Sequence, residues 1–133
     1  MRRVSHGLLT RAASAFGWKS YDPMMGRSVR QLLIELNPDI VHTSMLRGLS
    51  TSVWRVTKGL GLPLVHTLRD YFLVCPTFNM YRNGKNCRSM CRRCRLLALP
   101  NQWMSHQVDG VIGVSDYMVR RYRQLGWFRG RPS

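Results

Sequence analysis

Three short apolar runs, separated by stretches of helical periodicity, restrict this chain to one kind of fold. Asp39-Ile40-Val41-His42-Thr43, Pro63–Leu68 and Val108–Val114 are too short for helices, and β-branched residues recur in them, as in strands. Between the first two, Leu49 to Leu60 places Leu49, Val53, Val56, Thr57 and Leu60 on one face and Arg55 and Lys58 on the other. Gly59 and Gly61 bracket its end. Strands separated by helices of about a dozen residues join through crossover connections, which make a parallel sheet flanked by helices. The fold class is therefore α/β.

The remaining segments fit around that frame. Val4, Leu8, Leu9, Ala12, Ala15 and Phe16 share one side at helical spacing, so residues 1–26 read as a helical N-terminal segment. Its Arg-rich, acid-poor opening also has the character of a transit peptide, whereas polar interruptions rule out a secretory signal. Gly17 to Gly26 reads as a connection, with Asp22-Pro23 as a turn. Ser28 to Leu36 is a second helix, with Val29, Leu32, Leu33 and Leu36 as its apolar stripe. Asn37-Pro38 stops it, because Asn accepts a left-handed cap and Pro cannot continue a helix. Pro100 is placed to start a helix. Ser115 is an N-cap, and Asp116 sits at the favourable end of the helix dipole. Met118, Val119, Tyr122 and Leu125 form that helix's buried stripe, ended by Gly126. Trp127 to Ser133 shows no regular pattern. Three strands are few for a parallel sheet, and the series opens on helices, so the chain reads as part of a larger α/β domain.

Charge narrows the partners. The chain has 21 Lys+Arg against 6 Asp+Glu, a formal net charge of +15. That favours nucleic acid, an anionic membrane surface or phosphate-bearing ligands, with an ordinary solvated Arg-rich surface as the plain alternative. Hydrophobic content of 44% suits a globular chain, and no apolar run approaches the ~18 residues of a membrane span. Without an export signal, the expected compartment is the reducing cytoplasm.

Ligands of an open parallel sheet sit beyond the carboxyl ends of its strands. Three such ends are identifiable: His42-Thr43-Ser44 leading to Gly48, Thr67-Leu68-Arg69-Asp70-Tyr71, and Val114-Ser115-Asp116. Each has a plain reading beside the functional one. His42 can be a core histidine, Ser115 simply a cap, and Asp70 the organiser of its own turn. Arg69 and Tyr71 are harder to dismiss, because bulky polar groups directly after an apolar strand are poorly placed for packing. The cysteines, Cys75-x11-Cys87-x3-Cys91-x2-Cys94, suit one tetrahedral thiolate site, with structural zinc first and free or redox-paired thiols as the alternative. The basic residues Arg82, Lys85, Arg88, Arg92, Arg93 and Arg95 would offset a dianionic zinc–thiolate centre. There is no nucleophile motif, dinucleotide fingerprint or P-loop.

Several of these stretches, in this order, resemble the N-terminal domain of family 4 glycosyltransferases. They are Leu36-Asn37-Pro38-Asp39-Ile40-Val41-His42, Gly48-Leu49-Ser50, Gly61 to Tyr71, Cys75-Pro76 and Val108 to Ser115. The cysteine set is similar to that of one branch of the family. The resemblance implies a Rossmann-like sheet forming half of a GT-B architecture, with residues 27–128 as the family domain and 129–133 as a tail. It implies sugar transfer with retention of configuration, in a cleft between an acceptor-binding N-terminal domain and a C-terminal domain that binds the nucleotide-sugar. Here the donor domain lies outside the chain, so the expected chain is an acceptor-binding part, inactive alone, that needs a donor-domain partner. Carried over by position, His42, Ser44, Gly48, Arg69, Asp70, Tyr71 and Ser115 would line the acceptor side, with Arg69 and Asp70 nearest the chemistry. The family's usual Thr-Leu-His-Asp-Tyr here reads Thr67-Leu68-Arg69-Asp70-Tyr71. That histidine faces the transferred sugar in the family, so Arg69 puts activity in question and offers a phosphate contact instead. The expected acceptor is a sugar or glycolipid, and the expected location is cytoplasmic with peripheral contact at the inner membrane face. Two other readings remain: a basic zinc-containing nucleic-acid-binding module, against which the lack of an RNA-reading aromatic motif counts, and a non-catalytic remnant.

Overall fold

A computed structural model describes residues 22–133; the helix expected over Val4–Phe16 lies outside them. Helix α1 spans Pro23–Leu36, five residues earlier than the periodicity predicts. Asp22 is its N-cap rather than part of a turn: the carboxylate accepts from the backbone N–H groups of Met24 and Met25 at 2.9 and 3.2 Å. Pro23 fits the first helical position, where no N–H is needed. Asn37 closes the helix at φ 44°, donating its N–H to the Leu33 carbonyl. The expected stripe is only partly used, because Leu33 is buried while Leu32 and Leu36 are exposed. The contact with the next helix is made at Gly26, where a Cβ would lie 3.5 Å from Val56.

Strand β1 is Val41–Thr43, helix α2 is Ser52–Gly59, and β2 is Leu64–Leu68. α2 starts three residues later than expected. A tight turn intervenes, in which Leu49 and Ser50 both donate to the Leu46 carbonyl at 3.0 Å. Leu49 is consequently exposed, and the buried face is Ser52, Val53, Trp54 and Thr57. A two-stranded hairpin follows, β3 (Tyr81–Arg82) against β4 (Lys85–Asn86), exposed along both strands. Helix α3 runs Arg92–Met104, capped by the Cys91 sulfur, which accepts from the Cys94 N–H at 3.4 Å. Pro100 therefore sits inside a helix rather than at its start; the bond it forgoes would have used the carbonyl of exposed Leu96, which water can serve. A 3₁₀ turn, Ser105–Gln107, leads to β5 (Gly110–Gly113) and α4 (Asp116–Gln124).

The sheet is parallel, in the order β1-β2-β5. Alternation assigns its faces. Thr43, Leu64, His66, Leu68 and Val111 point into the core, and His42 and Ile112 point out. Trp54 seals the core side. It is fully buried, meets the His66 ring edge-on at 5.0 Å, and donates from Nε1 to Thr43 Oγ1 at 3.1 Å. The C-terminal stretch is also core. Trp127 and Phe128 pack on Tyr122, and the Val111 N–H donates to the Pro132 carbonyl at 3.0 Å. No pattern marked these residues in the sequence, because they form no periodic element. Among the described residues the only ion pair is Lys58–Asp109, at 2.9 Å. Asp109 also accepts from the Leu64 N–H at 2.8 Å, tying α2 to the starts of β2 and β5.

Candidate functional site

Because the three strands run in parallel, their carboxyl ends share one rim. Thr43 pairs with His66, Leu68 pairs with Gly113, and the Val114 N–H reaches the Leu68 carbonyl at 3.2 Å. The sequence-derived residues line up along this edge. His42 is exposed, not a core histidine, and its Nε2 lies 2.7 Å from Thr67 Oγ1 on the neighbouring strand. The buried histidine is His66. Ser44 is half-buried, and Gly48 is exposed at the tip of the next turn with φ 82°. A side chain would strain that backbone, although open space surrounds it.

The segment after β2 is built as a platform. Asp70 orders its own turn, accepting from the Phe72 N–H at 2.8 Å, while its backbone carbonyl accepts from the buried Tyr122 hydroxyl at 2.8 Å. Tyr71 stacks on Tyr122 with ring centroids 6.0 Å apart. Its phenol is pushed up, first by burial and then by Tyr117, with Arg121 opposing. Arg69 is exposed at the rim and makes no hydrogen bond or ion pair among the described residues. Ser115 caps α4, accepting from the Met118 N–H at 3.3 Å, with Asp116 in the first turn. Gly113 lets β5 enter this cap. A Cβ there would collide with Val119 Cγ2 and stand 2.6 Å from the Ser115 carbonyl.

Two contributors escape sequence reasoning. Arg47 lies over the Phe78 ring at 4.6 Å, joining the turn after β1 to the loop after β2. Tyr117 and Arg121 sit one turn apart on α4 beside Tyr71. Their i, i+4 spacing next to the buried stripe was a usable signal; the Arg47–Phe78 contact had none. Near the N-terminus of α4, a groove of about 340 Å³ is lined by Ile112, Gly113, Asp116, Arg120 and Arg123 among others.

The four cysteines come together beneath the rim. They line one small cavity of about 10 Å³ with Val74 and Met80. None is in a disulfide. No three ligating side chains among the described residues stand ready-formed around a metal position. Burial, and then the neighbouring Cys91, pushes the Cys94 thiol up to about 12. Cys91 is the more acidic of the pair, lowered first by the Cys94 backbone N–H.

These features define a parallel-sheet α/β domain of Rossmann-like type, with polar and aromatic groups gathered at the carboxyl rim. The Glycosyl transferase 4-like domain profile matches residues 2–132. The chain belongs to that family. It is also 29% identical over 109 residues to an uncharacterized 42.6 kDa protein in the cps region of Klebsiella pneumoniae, covering 82% of this chain and 29% of that protein. The chain thus spans less than a third of its relative's length. No solved structure gives a significant match.

Proposed function

We propose that this chain supplies the acceptor-binding side of a retaining glycosyltransferase of GT-B type, whose nucleotide-sugar is held by a separate donor domain. The observation that carries this is the single rim on which His42, Ser44, Gly48, Arg69, Asp70, Tyr71 and Ser115 all lie, in a chain of this family. Tyr71 offers an aromatic surface for a sugar face. Gly48, without a side chain, lets an acceptor approach the backbone, and the N-terminus of α4 directs backbone N–H groups outward. Arg69 stands next to Asp70 with its guanidinium unengaged among the described residues, suited to two-point contact with a phosphate. The acceptor is accordingly a sugar carrying a phosphate or pyrophosphate, as in a glycolipid. The relative's place in a cps region supports carbohydrate biosynthesis as the setting.

The large positive charge supports peripheral attachment to an anionic membrane on the cytoplasmic side, where such an acceptor would be embedded. No helix among the described residues is long and apolar enough to cross a membrane. The reading is tested by calorimetric titration of the isolated chain with UDP-glucose and other nucleotide-sugars, and with a panel of free and phosphorylated sugars. Phosphorylated sugars bind, Arg69→Ala weakens them about tenfold more than their unphosphorylated counterparts, and nucleotide-sugars give no heat beyond that of their phosphates. Tight nucleotide-sugar binding that depends on the base would overturn the assignment.

A further inference from the structure

We infer that Cys75, Cys87, Cys91 and Cys94 form a structural zinc centre that staples the exposed hairpin and the start of α3 to the domain core. This goes beyond acceptor binding and does not depend on it. Four separate observations meet at the cavity.

The first is convergence. The cysteines come from three independently anchored pieces of chain. Cys75 is held by its N–H to the Tyr71 carbonyl at 2.8 Å, and Cys87 by its N–H to the Met80 carbonyl at 2.7 Å. Cys91 and Cys94 belong to the first turn of α3. All four nonetheless line the same space of about 10 Å³, roughly one water-sized body. A cavity of that size suits a single ion, and four thiolates are the donor set of a closed structural zinc site.

The second is the Cys91–Cys94 geometry. The Cys94 N–H already points at the Cys91 sulfur at 3.4 Å, which prepares that sulfur to carry negative charge.

The third is charge. No Asp or Glu occurs between Asp70 and Asp109, whereas Arg82, Lys85, Arg88, Arg92, Arg93 and Arg95 all fall there. Three of those arginines occupy the first turn of α3, which has no acidic residue. Cations there oppose the helix dipole. A zinc ion with four thiolates carries two net negative charges at that position, which reverses the sign of the local field and turns the arginines into compensating groups. A Cys91–Cys94 disulfide is neutral and leaves the conflict standing.

The fourth is the hairpin. β3 and β4 have two residues each and are exposed throughout, and a hairpin of that size has little stability of its own. Its flanks are held by Met80, buried in the core just before β3, and by the Arg121 guanidinium, which donates to the Cys87 and Arg88 carbonyls at 2.8 and 2.6 Å; the four-thiolate centre would fix the segment that follows.

Binding is balanced without redox chemistry. Four S–H groups release four protons to solvent, and four Zn–S bonds form. No three of the ligating side chains among the described residues stand ready-formed around a metal position, so the ion has to draw the sulfurs together across the cavity that they line.

The test begins with the full chain, purified under reducing conditions without chelator, and its metal content measured by inductively coupled plasma mass spectrometry. About one zinc per chain is expected, released by a mercurial reagent and detected with a metallochromic dye. Cobalt substitution should give the visible bands of a tetrahedral four-thiolate site. Cys91→Ser, in which serine at an exposed N-cap keeps α3 capped, is expected to abolish the four-thiolate cobalt spectrum with the fold intact by circular dichroism, as is Cys75→Ser at the buried position where that variant folds. Zinc-free protein that gives no cobalt bands would overturn the proposal. So would a Cys91–Cys94 disulfide, found by mass spectrometry, in protein whose folding is indifferent to zinc.

Discussion

Acidification should destabilise this domain through one residue, His66. Its ring is buried on the core face of β2, edge-on to Trp54 and stacked on Phe128, with Nδ1 2.9 Å from Thr43 Oγ1. Thr43 Oγ1 accepts from the Trp54 N–H at 3.1 Å and also lies 3.4 Å from the Val65 carbonyl, so the His66 ring sits in a closed polar pocket among buried groups. Burial, and then the neighbouring His42, lowers the His66 pKa to about 4, against an opposing contribution from the Thr43 backbone. A folded value below the unfolded value near 6.5 means that the contribution to stability is complete above about pH 6.5. It is lost as pH falls toward 4, where the unfolded chain binds a proton that the native ring refuses. At about 1.4 kcal/mol per pH unit, the gap is worth about 3 kcal/mol, of which about 2.5 kcal/mol is gone by pH 4.5.

The assay is urea denaturation at steps from about pH 7.5 to about pH 4.5 for the natural chain and for His66→Asn, which keeps a polar atom near Nδ1 but does not titrate. All other ionisable groups are common to both proteins, so the difference between the two curves isolates His66. The natural chain should lose about 2.5 kcal/mol more than the variant over this range. Parallel curves would refute the reasoning.

Other perturbations follow from single contacts. Gly113→Ala drives a methyl group into Val119 and the Ser115 carbonyl, and should cost about 2–3 kcal/mol in chemical denaturation. Tyr122→Phe leaves the Asp70 carbonyl without its buried donor; a loss of about 1–2 kcal/mol is expected, together with weaker binding of phosphorylated sugars at the rim. Asp109→Ala removes the Lys58 pair and the Leu64 bond, and about 1–2 kcal/mol should be lost, with only a minor part sensitive to salt because the Leu64 contact is to backbone.

The strands were legible because β-branched residues cluster in Val41–Thr43, Leu64–Leu68 and Gly110–Gly113 and little else competes for them. The Ser115 cap was legible for the same local reason: its hydroxyl and the apolar spacing of α4 lie within one short stretch. Features fixed by distant partners were not. Asp22-Pro23 serves a turn and a helix start equally well, and the choice rests on α1 packing over α2 at Gly26. Pro100 was misplaced because the start of α3 depends on the Cys91 cap, which has no counterpart in helix periodicity. Trp127 and Phe128 became core through contact with Tyr122 and His66, residues far away or on another element. His42 faces outward while His66, to which the sequence assigned no role, is the buried histidine, because a strand alternates its faces and the face that Trp54 covers was not apparent until α2 had a defined start. At the rim, the positions of Arg69, Asp70, Tyr71 and Ser115 follow from strand ends alone, whereas the Arg47–Phe78 contact requires the folded loops.

The most direct test of the account is a two-dimensional amide NMR titration of the isotopically labelled chain with a sugar pyrophosphate and, separately, with UDP-glucose. Acceptor binding at the carboxyl rim predicts that the sugar pyrophosphate shifts amides from Thr43 to Ser50, from Arg69 to Tyr71 and at Ser115 to Tyr117, and that Arg69→Ala suppresses those shifts. Replacing the sugar pyrophosphate by UDP-glucose should add no uridine-dependent shifts. Perturbations centred elsewhere, or a uridine-dependent site on this domain, would contradict the assignment of the acceptor side to this chain.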